Sequence, residues 1–213
     1  MRDDVKRMIE TGYDAMADRF AAWQRDVQGS TRLERVEELL ALLPARPDVL
    51  ELGVGAGVRS TRLLGERGRL TGVDLSAEQL RRARERIPAA TFLHADFTEL
   101  ELEEASFDAV VALYALNHVP QDDVGPLVGQ VARWLRPGGY FLATFSASDN
   151  PGWQGEWLGV EMFFAGLPPE ENRRLVEGAG FDVLRDEIET SMEPQGEARF
   201  QWILGKNGPP SSV

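Results

Sequence analysis

Short apolar runs alternate with amphipathic segments between residues 48 and 146, and this rhythm constrains the fold more than any other feature of the sequence. The apolar runs are typical of buried strands, and the segments between them have the spacing of helices with one apolar face. Ser76 stands where it can cap the helix after the second run. The alternation predicts a parallel, doubly wound α/β sheet. Its strands are DVLELG (48–53), RLTGVDLS (69–76), ATFLHAD (90–96), FDAVVALYAL (107–116) and YFLATFS (140–146).

The rhythm changes after residue 146. Residues 149–166 are rich in glycine, proline and aromatic residues without a clear period, so we expect them to run over the sheet edge. A helix at 169–180 and two strands at 181–190 and 198–206, joined by a wide loop, complete the pattern. We predict one domain over residues 1–205, with an N-terminal helical cap at 1–30, a substrate-side insertion at 147–167 and a flexible tail at 206–213.

Charge and rare residue types exclude several function classes. The net charge of −12 opposes binding to nucleic-acid phosphates and to anionic membranes. The chain has no cysteine and only two histidines, which leaves no thiolate site or histidine-rich metal site. The N-terminus lacks the apolar core of a signal peptide, and no apolar run approaches the length of a membrane span. We therefore expect a cytoplasmic protein that holds no metal and acts on a small molecule; the oligomeric state is not predicted.

The stretch VLELGVGAGVRS, at residues 49–60, joins a strand end to a helix start through a glycine loop. Ligands of open α/β sheets bind beyond such strand ends. Gly53, Gly55 and Gly57 are spaced G-x-G-x-G, whereas the dinucleotide fingerprint is G-x-G-x-x-G. Glu51 lies just before the loop, where a carboxylate disfavours a pyrophosphate and favours an ammonium group. S-adenosylmethionine carries an ammonium group and no phosphate, although a purely structural turn would also account for the glycines.

Acidic residues also end the next two predicted strands. Asp74, in TGVDLS, can accept hydrogen bonds from both hydroxyls of a ribose, and Asp96, in HADF, can accept one from the exocyclic amine of adenine. Each residue alone is more typical of a helix cap or a solvated charge. Three successive strand ends with an acid favour a single nucleoside ligand.

These motifs, followed by FDAVVALYALNHVP and LRPGGYFLATF, resemble in order and spacing those of class I S-adenosylmethionine-dependent methyltransferases, over residues 45–146. The resemblance implies a Rossmann-like, seven-stranded sheet that is mostly parallel with an antiparallel last strand, which agrees with the late pair of strands. It also implies the small-molecule branch of that family, with S-adenosylmethionine as the methyl donor and S-adenosylhomocysteine as the product.

The resemblance further implies where the cofactor lies. Glu51 and the backbone of Gly53, Gly55 and Gly57 would hold the methionine part, and Leu113 with Tyr114 would lie beneath the sulfonium. The remaining residues implied are Asp74 at the ribose, Leu75 and Phe97 at the adenine, Asp96 at the adenine amine, Tyr13 closing over the cofactor, and Arg19 or Arg59 at its carboxylate.

His118 is the one plausible general base, because it follows the fourth strand and an ordinary histidine titrates near neutrality. Its alternative role is to orient the loop, with Asn117 capping the turn before Pro120. Tyr114 would either line the substrate pocket or pack against it. His94 lies inside the third strand and is expected to be structural.

The insertion carries a cluster of large side chains that could form the substrate pocket: Trp153, Trp157, Met162, Phe163 and Phe164. We expect at least two of these five to pack as ordinary core. Glu156 or Glu161 would favour an amine, or act as a base, if either faced the pocket.

The sequence thus favours transfer of a methyl group to an O, N or S atom of a small organic molecule by in-line displacement. A nicotinamide-dependent oxidoreductase is disfavoured by the glycine spacing and by Glu51. A protein that binds S-adenosylmethionine without catalysis remains the third alternative.

Overall fold

The structure of the chain is a computed structural model that describes residues 1–208. Two helices, α1 and α2, precede a region in which strands and helices alternate. The elements in chain order are α1 (Asp3–Asp26), α2 (Arg32–Leu42), β1 (Asp48–Leu52), α3 (Arg59–Arg67), β2 (Arg69–Asp74), α4 (Ala77–Arg86), β3 (Thr91–His94), β4 (Phe107–Ala112), α5 (Gln121–Trp134), β5 (Leu135–Ser146), β6 (Asn150–Trp157), β7 (Val160–Gly166), α6 (Pro169–Gly178), β8 (Phe181–Glu193) and β9 (Gly196–Asn207).

Seven strands form one sheet in the order β3-β2-β1-β4-β5-β9-β8. The strands β1 to β5 pair in parallel, and β9 runs antiparallel to both of its neighbours. The predicted doubly wound sheet with an antiparallel last strand is therefore confirmed. The strand order reverses between β1 and β4, which is the position where ligands bind in sheets of this type.

Alternate residues of the central strands pack into two separate cores, one on each face of the sheet. On β1, Leu50 and Leu52 face a core shared with α5, whereas Val49 faces the core shared with α2 and α3. This arrangement explains why the central strands are apolar at nearly every position: each is covered by helices on both faces.

Helix α1 is fastened across the edge that carries the strand ends. The carboxylate of Asp14 accepts hydrogen bonds from Ser76 Oγ (2.5 Å) and from the backbone N–H of Glu78 (3.0 Å). The guanidinium of Arg82 donates to Asp18 at 2.8 Å. These contacts hold α1 against the N-terminus of α4, and Ser76 caps α4 as predicted by accepting from Gln79 N at 3.1 Å.

Residues 149–166 do not form an irregular excursion. They form a two-stranded antiparallel hairpin of β6 and β7, separate from the main sheet. The strand period was hidden in the sequence because β7 buries two consecutive residues, Met162 and Phe163, and because β6 carries an exposed aromatic residue, Trp153. Helix α2 was not predicted either, although Leu33, Val36, Leu39 and Leu40 recur at helical spacing.

The connection between β8 and β9 is also tighter than the wide loop expected. Glu193 pairs with Gly196 across a turn of two residues, and Gly196 adopts a φ of 132°. At the other end β9 continues to Asn207, so residues 206–207 belong to the sheet rather than to the predicted tail. The rest of that tail, from 209 to 213, lies outside the described residues. No helix within residues 1–208 has the length and apolar character needed to cross a membrane.

Candidate active site

The glycine loop lies beyond the end of β1, at the point where the strand order reverses. Gly53 and Val54 donate backbone hydrogen bonds to Val73 O at 2.8 and 3.0 Å, which joins the loop to the end of β2. Gly53 has a φ of 69°, and a Cβ there would lie 2.4 Å from Ala115 Cβ. Gly55 has a φ of 55°, and a Cβ there would meet no atom within 4 Å. The first glycine is therefore required by packing, and the second faces open space.

That open space is a cavity, here called the glycine-loop cavity, which is covered by α1. It includes seven of the ten residues predicted to bind the cofactor: Tyr13, Gly53, Gly55, Asp74, Leu75, Phe97 and Leu113. The other three do not line it. Gly57 packs on α4, where a Cβ would lie 3.3 Å from Ala83 Cα, and Glu51 and Asp96 are buried side chains.

The three strand-end carboxylates differ in how they are satisfied. Asp74 accepts from the backbone N–H of Gly55 at 2.7 Å and of Ser76 at 2.9 Å, and burial raises its pKa. Glu51 accepts from Thr61 Oγ1 at 3.0 Å, and burial raises the pKa of Glu51 to about 8. Carboxyl groups held in this way have an unmet demand for a hydrogen-bond donor or a positive charge.

Two carboxylate oxygens in this region lack a hydrogen-bond donor among the described residues. Within residues 1–208, Glu51 Oε2 and Asp96 Oδ2 are buried and have no hydrogen-bond partner. Lys6 Nζ lies 3.8 Å from Asp96 Oδ2, too far for a hydrogen bond. A ligand with an ammonium group at one end and an amine at the other fits this donor and acceptor set, which is the chemistry of S-adenosylmethionine. We did not predict Gln79, whose buried side-chain amide lines the cavity and also has no partner among these residues.

A hydrogen-bonded pair, Tyr13 and His118, closes the cavity on the side of α1. His118 Nδ1 lies 2.8 Å from Phe163 O, an acceptor, so Nδ1 carries the proton. Nε2 then accepts from the Tyr13 hydroxyl at 2.8 Å. Burial lowers the pKa of His118 to about 4, rather than leaving it near neutrality as expected. At neutral pH the imidazole is an uncharged group that fixes the position of Tyr13.

Tyr114 stands at the end of β4 in a backbone conformation that is rare for a bulky residue, with a φ of 59°. Its backbone N–H donates to Thr144 Oγ1 at 2.5 Å, which stabilises that conformation. The guanidinium carbon of Arg32 lies 4.5 Å from the centre of the Tyr114 ring. Arg32, at the start of α2, forms no ion pair with residues 1–208 and lines the cavity, whereas the predicted Arg19 and Arg59 are exposed.

Arg32 was missed because no motif surrounds it. Its only sequence signal is a position at the start of an amphipathic segment, and that helix was itself not predicted. Its approach to Tyr114 depends on how α2 packs.

A second space, here called the aromatic cavity, adjoins the first and encloses about 810 Å³. Tyr13, Tyr114 and Arg32 line both. The ring of Trp157 lies 5.3 to 6.5 Å, centre to centre, from four other rings, those of Tyr13, Phe20, Trp23 and Phe164. A cavity of this size lined by aromatic rings suits an organic ligand of moderate size.

The insertion contributes to this cavity only in part. Trp153, Trp157 and Phe164 line it. Met162 and Phe163 do not, because they are 0% and 2% exposed. A Cβ on Gly12 of α1 would lie 2.5 Å from Met162 Sδ, and Phe163 packs in a cluster with Val5 and Ile9. Both residues are thus core under α1, which corrects their place in the predicted pocket and agrees with the expectation that at least two of the five would be core.

Glu156 and Glu161 pair across the hairpin, are exposed and line neither cavity. His94 donates from Nε2 to Leu75 O at 2.7 Å, which is consistent with the structural role expected of it. Among residues 1–208, no group of three or more His, Asp or Glu side chains is placed to hold a metal ion.

The sequence is similar to those of known methyltransferases. Residues 49–139 match a family described as the methyltransferase domain. The 27-O-demethylrifamycin SV methyltransferase of Amycolatopsis mediterranei is 34% identical over 154 residues, which cover 62% of this chain and 55% of that protein. Phosphoethanolamine N-methyltransferase 1 of Triticum aestivum is 32% identical over 127 residues, which cover 56% of this chain and 26% of that protein. The chain therefore spans about half, or less, of the length of these curated relatives.

A solved structure shares the whole fold. The 1,6-didemethyltoxoflavin-N1-methyltransferase of Burkholderia thailandensis, solved with 1,6-didemethyltoxoflavin and S-adenosylhomocysteine, aligns with a TM-score of 0.72. The alignment covers 97% of this chain and 90% of that one, at 22% sequence identity. The strand order, the glycine loop with its strand-end acids, and the family match over residues 49–139 agree with one another. Residues 49–139 are thus similar to the methyltransferase domain family, and the chain as a whole has the fold of the solved methyltransferase.

Proposed function

We propose that the chain transfers a methyl group from S-adenosylmethionine to an O, N or S atom of a small organic molecule. The observation that carries the proposal is the junction of two unlike cavities. One contains the glycine loop and Asp74, the other is lined with aromatic rings, and Tyr13 and Tyr114 belong to both. A transfer enzyme has to bring two ligands to one point, and these tyrosines mark that point.

In this proposal the glycine-loop cavity holds the methyl donor. Glu51 Oε2 receives its ammonium group, and Arg32 replaces Arg19 and Arg59 as the partner of its carboxylate. Asp74 accepts from the ribose hydroxyls, and Asp96 with the backbone of Phe97 takes the adenine edge. Leu75 packs on the adenine, and Leu113 lies beneath the sulfonium. Support comes from the two buried carboxylate oxygens that lack a hydrogen-bond partner within residues 1–208 and from the position of Asp74 on the cavity wall.

The bound donor supplies a methyl group already activated by its sulfonium. The chain has to align the acceptor and exclude water, and alignment alone can lower a barrier by about 7–11 kcal/mol. The cover formed by α1 and the rings around Trp157 provide both functions. No metal is required in this proposal.

His118 is proposed as a positioning residue rather than as the general base first expected. Both of its ring nitrogens are engaged, and its pKa of about 4 makes it a weak proton acceptor at neutral pH. Its hydrogen bond holds the Tyr13 hydroxyl at the border of the two cavities.

The acceptor is proposed to be a small molecule because the aromatic cavity, at about 810 Å³, has the size of a small-molecule pocket. The names of two similar proteins support a small acceptor, since one is named for 27-O-demethylrifamycin SV and the other for 1,6-didemethyltoxoflavin. The expected cytoplasmic location and the expected absence of a nucleic-acid partner stay predictions.

Titration calorimetry tests the proposal against its two alternatives. We expect S-adenosylhomocysteine to bind and NAD not to bind; the reverse result would favour an oxidoreductase. A panel of aromatic hydroxyl, amine and thiol compounds is then screened for release of S-adenosylhomocysteine. Binding without turnover of any acceptor would favour the non-catalytic alternative.

A further inference from the structure

Glu193 is a carboxylate on the wall of the aromatic cavity, and it takes no part in the proposed cofactor site or in the Tyr13–His118 pair. It is the last residue of β8, and its side chain is half-buried. Burial raises its pKa, and no hydrogen bond or ion pair reaches its carboxylate from within residues 1–208. This half-buried carboxylate is therefore available to accept a hydrogen bond from a ligand in the cavity.

The position of Glu193 is fixed from both sides. Met192 exchanges backbone hydrogen bonds with Gln28, beyond the end of α1, at 3.0 and 3.1 Å. Two residues after Glu193, Gln195 Oε1 accepts from Trp23 Nε1 at 2.7 Å. The β8–β9 turn is thus attached to the region of α1, and Glu193 is held between the two attachments. Glu193 therefore belongs to a turn that is anchored on both sides, not to a free loop.

Glu193 shares the wall of the aromatic cavity with residues at the border between the cavities. Glu193 lines the aromatic cavity together with Tyr13 and Tyr114, which also line the glycine-loop cavity. Burial is the main cause of the raised pKa of both tyrosines, and the negative charge of Glu193 adds a smaller contribution. Glu193 therefore lies on the acceptor side of the point where the two ligands meet.

The other charged groups of the aromatic cavity do not neutralise it. Arg32 is stacked over Tyr114, and the remaining three are exposed on α3 and β9: Arg59, Glu197 and Arg199. Neither β6 nor β7 contributes a titratable group to this cavity. Glu193 is the carboxylate that combines burial with a position among the rings.

We infer that Glu193 binds the protic nucleophile of an aromatic acceptor and takes up its proton, an inference that rests on the proposed function. The rings around Trp157 hold the flat body of the acceptor, and its O–H or N–H group donates a hydrogen bond to the Glu193 carboxylate. On transfer, the acceptor heteroatom bonds to the methyl carbon, the carbon–sulfur bond breaks with its electron pair left on sulfur, and the proton passes to Glu193. The products are a methyl ether or a methylamine, S-adenosylhomocysteine and a neutral Glu193.

Binding is tested with two probes that share one aromatic body, 1-naphthol and 1-methoxynaphthalene, by calorimetry with and without S-adenosylhomocysteine. We expect the protein to bind 1-naphthol at least about tenfold more tightly, because only the naphthol donates a hydrogen bond to the carboxylate. Glu193→Ala should abolish that preference. Glu161→Gln, which changes the charge equally on an exposed carboxylate outside both cavities, should keep it.

Turnover is tested with 1-naphthol and 1-naphthylamine as acceptors. Glu193→Gln keeps the shape and a hydrogen-bond acceptor but cannot take a proton, so kcat should fall about 100-fold or more while KM changes by less than about threefold. The wild-type pH profile should show an acidic limb above the ordinary glutamate pKa of about 4.3, which Glu193→Gln lacks.

Three results would overturn the assignment: equal affinity of the wild type for the two binding probes, a naphthol preference that survives Glu193→Ala, or an unchanged kcat and pH profile in Glu193→Gln. Thermal denaturation confirms that each variant is folded. Failure of S-adenosylhomocysteine to bind the wild type would instead refute the proposed function. The titrations of the two naphthalene probes in the absence of S-adenosylhomocysteine would still test whether Glu193 binds a hydrogen-bond donor.

Discussion

The two cavities share a wall that includes Tyr13 and Tyr114, but they are built in different ways. The glycine-loop cavity is formed largely by consecutive strand-to-helix junctions from β1 to β4, within the segment that matches the methyltransferase domain family, residues 49–139. The aromatic cavity takes most of its rings from outside that segment, from α1, the β6–β7 hairpin and β9. One cavity is therefore a property of a short continuous sequence, and the other exists only after distant segments have packed together.

The two cavities also differ in the physical means of recognition. In the first, backbone N–H groups and buried carboxylates such as Asp74 and Glu51 set the position of charges. In the second, ring faces and edges around Trp157 supply contact area with few polar groups. A family that keeps one cofactor and varies its acceptors would be expected to divide its surface in this way.

The largest effect is expected from Asp74→Asn, which tests the charge-based cavity. We expect affinity for S-adenosylhomocysteine to fall about 100-fold, or about 2.8 kcal/mol, because the amide accepts fewer hydrogen bonds from the ribose hydroxyls. Calorimetry measures the affinity. Asp182→Asn, an exposed carboxylate on β8, is the matched control and should bind like the wild type. An affinity in Asp74→Asn within threefold of the wild type would contradict the role of Asp74.

Trp157→Ala tests the aromatic cavity. Because its ring contacts four others, its loss should weaken binding of 1-naphthol about 50-fold, or about 2.3 kcal/mol. The affinity for S-adenosylhomocysteine, titrated in parallel, should change little, which would show that the two cavities are separable. Trp153→Ala is the graded control, since that ring is 45% exposed and should matter less. Equal losses for both ligands would show that the division into two cavities is wrong.

His118, which supports the border between the cavities, gives the smallest effect. In the folded chain, burial lowers the pKa of His118 to about 4, whereas in the unfolded chain the imidazole has its ordinary pKa of 6.5. The unfolded state therefore binds more protons between these values, and stability falls as pH drops, by about 2 kcal/mol between pH 7 and pH 5.

Urea denaturation at the two pH values measures this change. His118→Asn should lose that part of the pH dependence, and His94→Asn, which removes a partly exposed histidine, should keep it. Identical pH dependence in the wild type and in His118→Asn would show that burial does not perturb His118.

The sheet and the glycine-loop cavity were predictable because their signals are local. The end of β1, glycines at positive φ and an acid, Glu51, lie within a few residues of one another, so the pattern is complete in the sequence. The positions of Arg32 and Glu193 on the cavity walls and the burial of Met162 in the core were not predictable, since each depends on which distant element packs against the residue. The apolar character of Met162 is the same whether it faces a ligand or α1, and only the packing of α1 at Gly12 decides between them.

Helix α1 supplies Tyr13, Phe20 and Gln24 to both cavities, and this shared wall has a thermodynamic consequence. If one ligand makes the helix more ordered, the other finds part of that ordering already done. The coupling must be reciprocal: the factor by which S-adenosylhomocysteine raises the affinity for an acceptor equals the factor by which the acceptor raises the affinity for S-adenosylhomocysteine. A cofactor that tightens its own acceptor site would also leave more readily once the methylated product has departed.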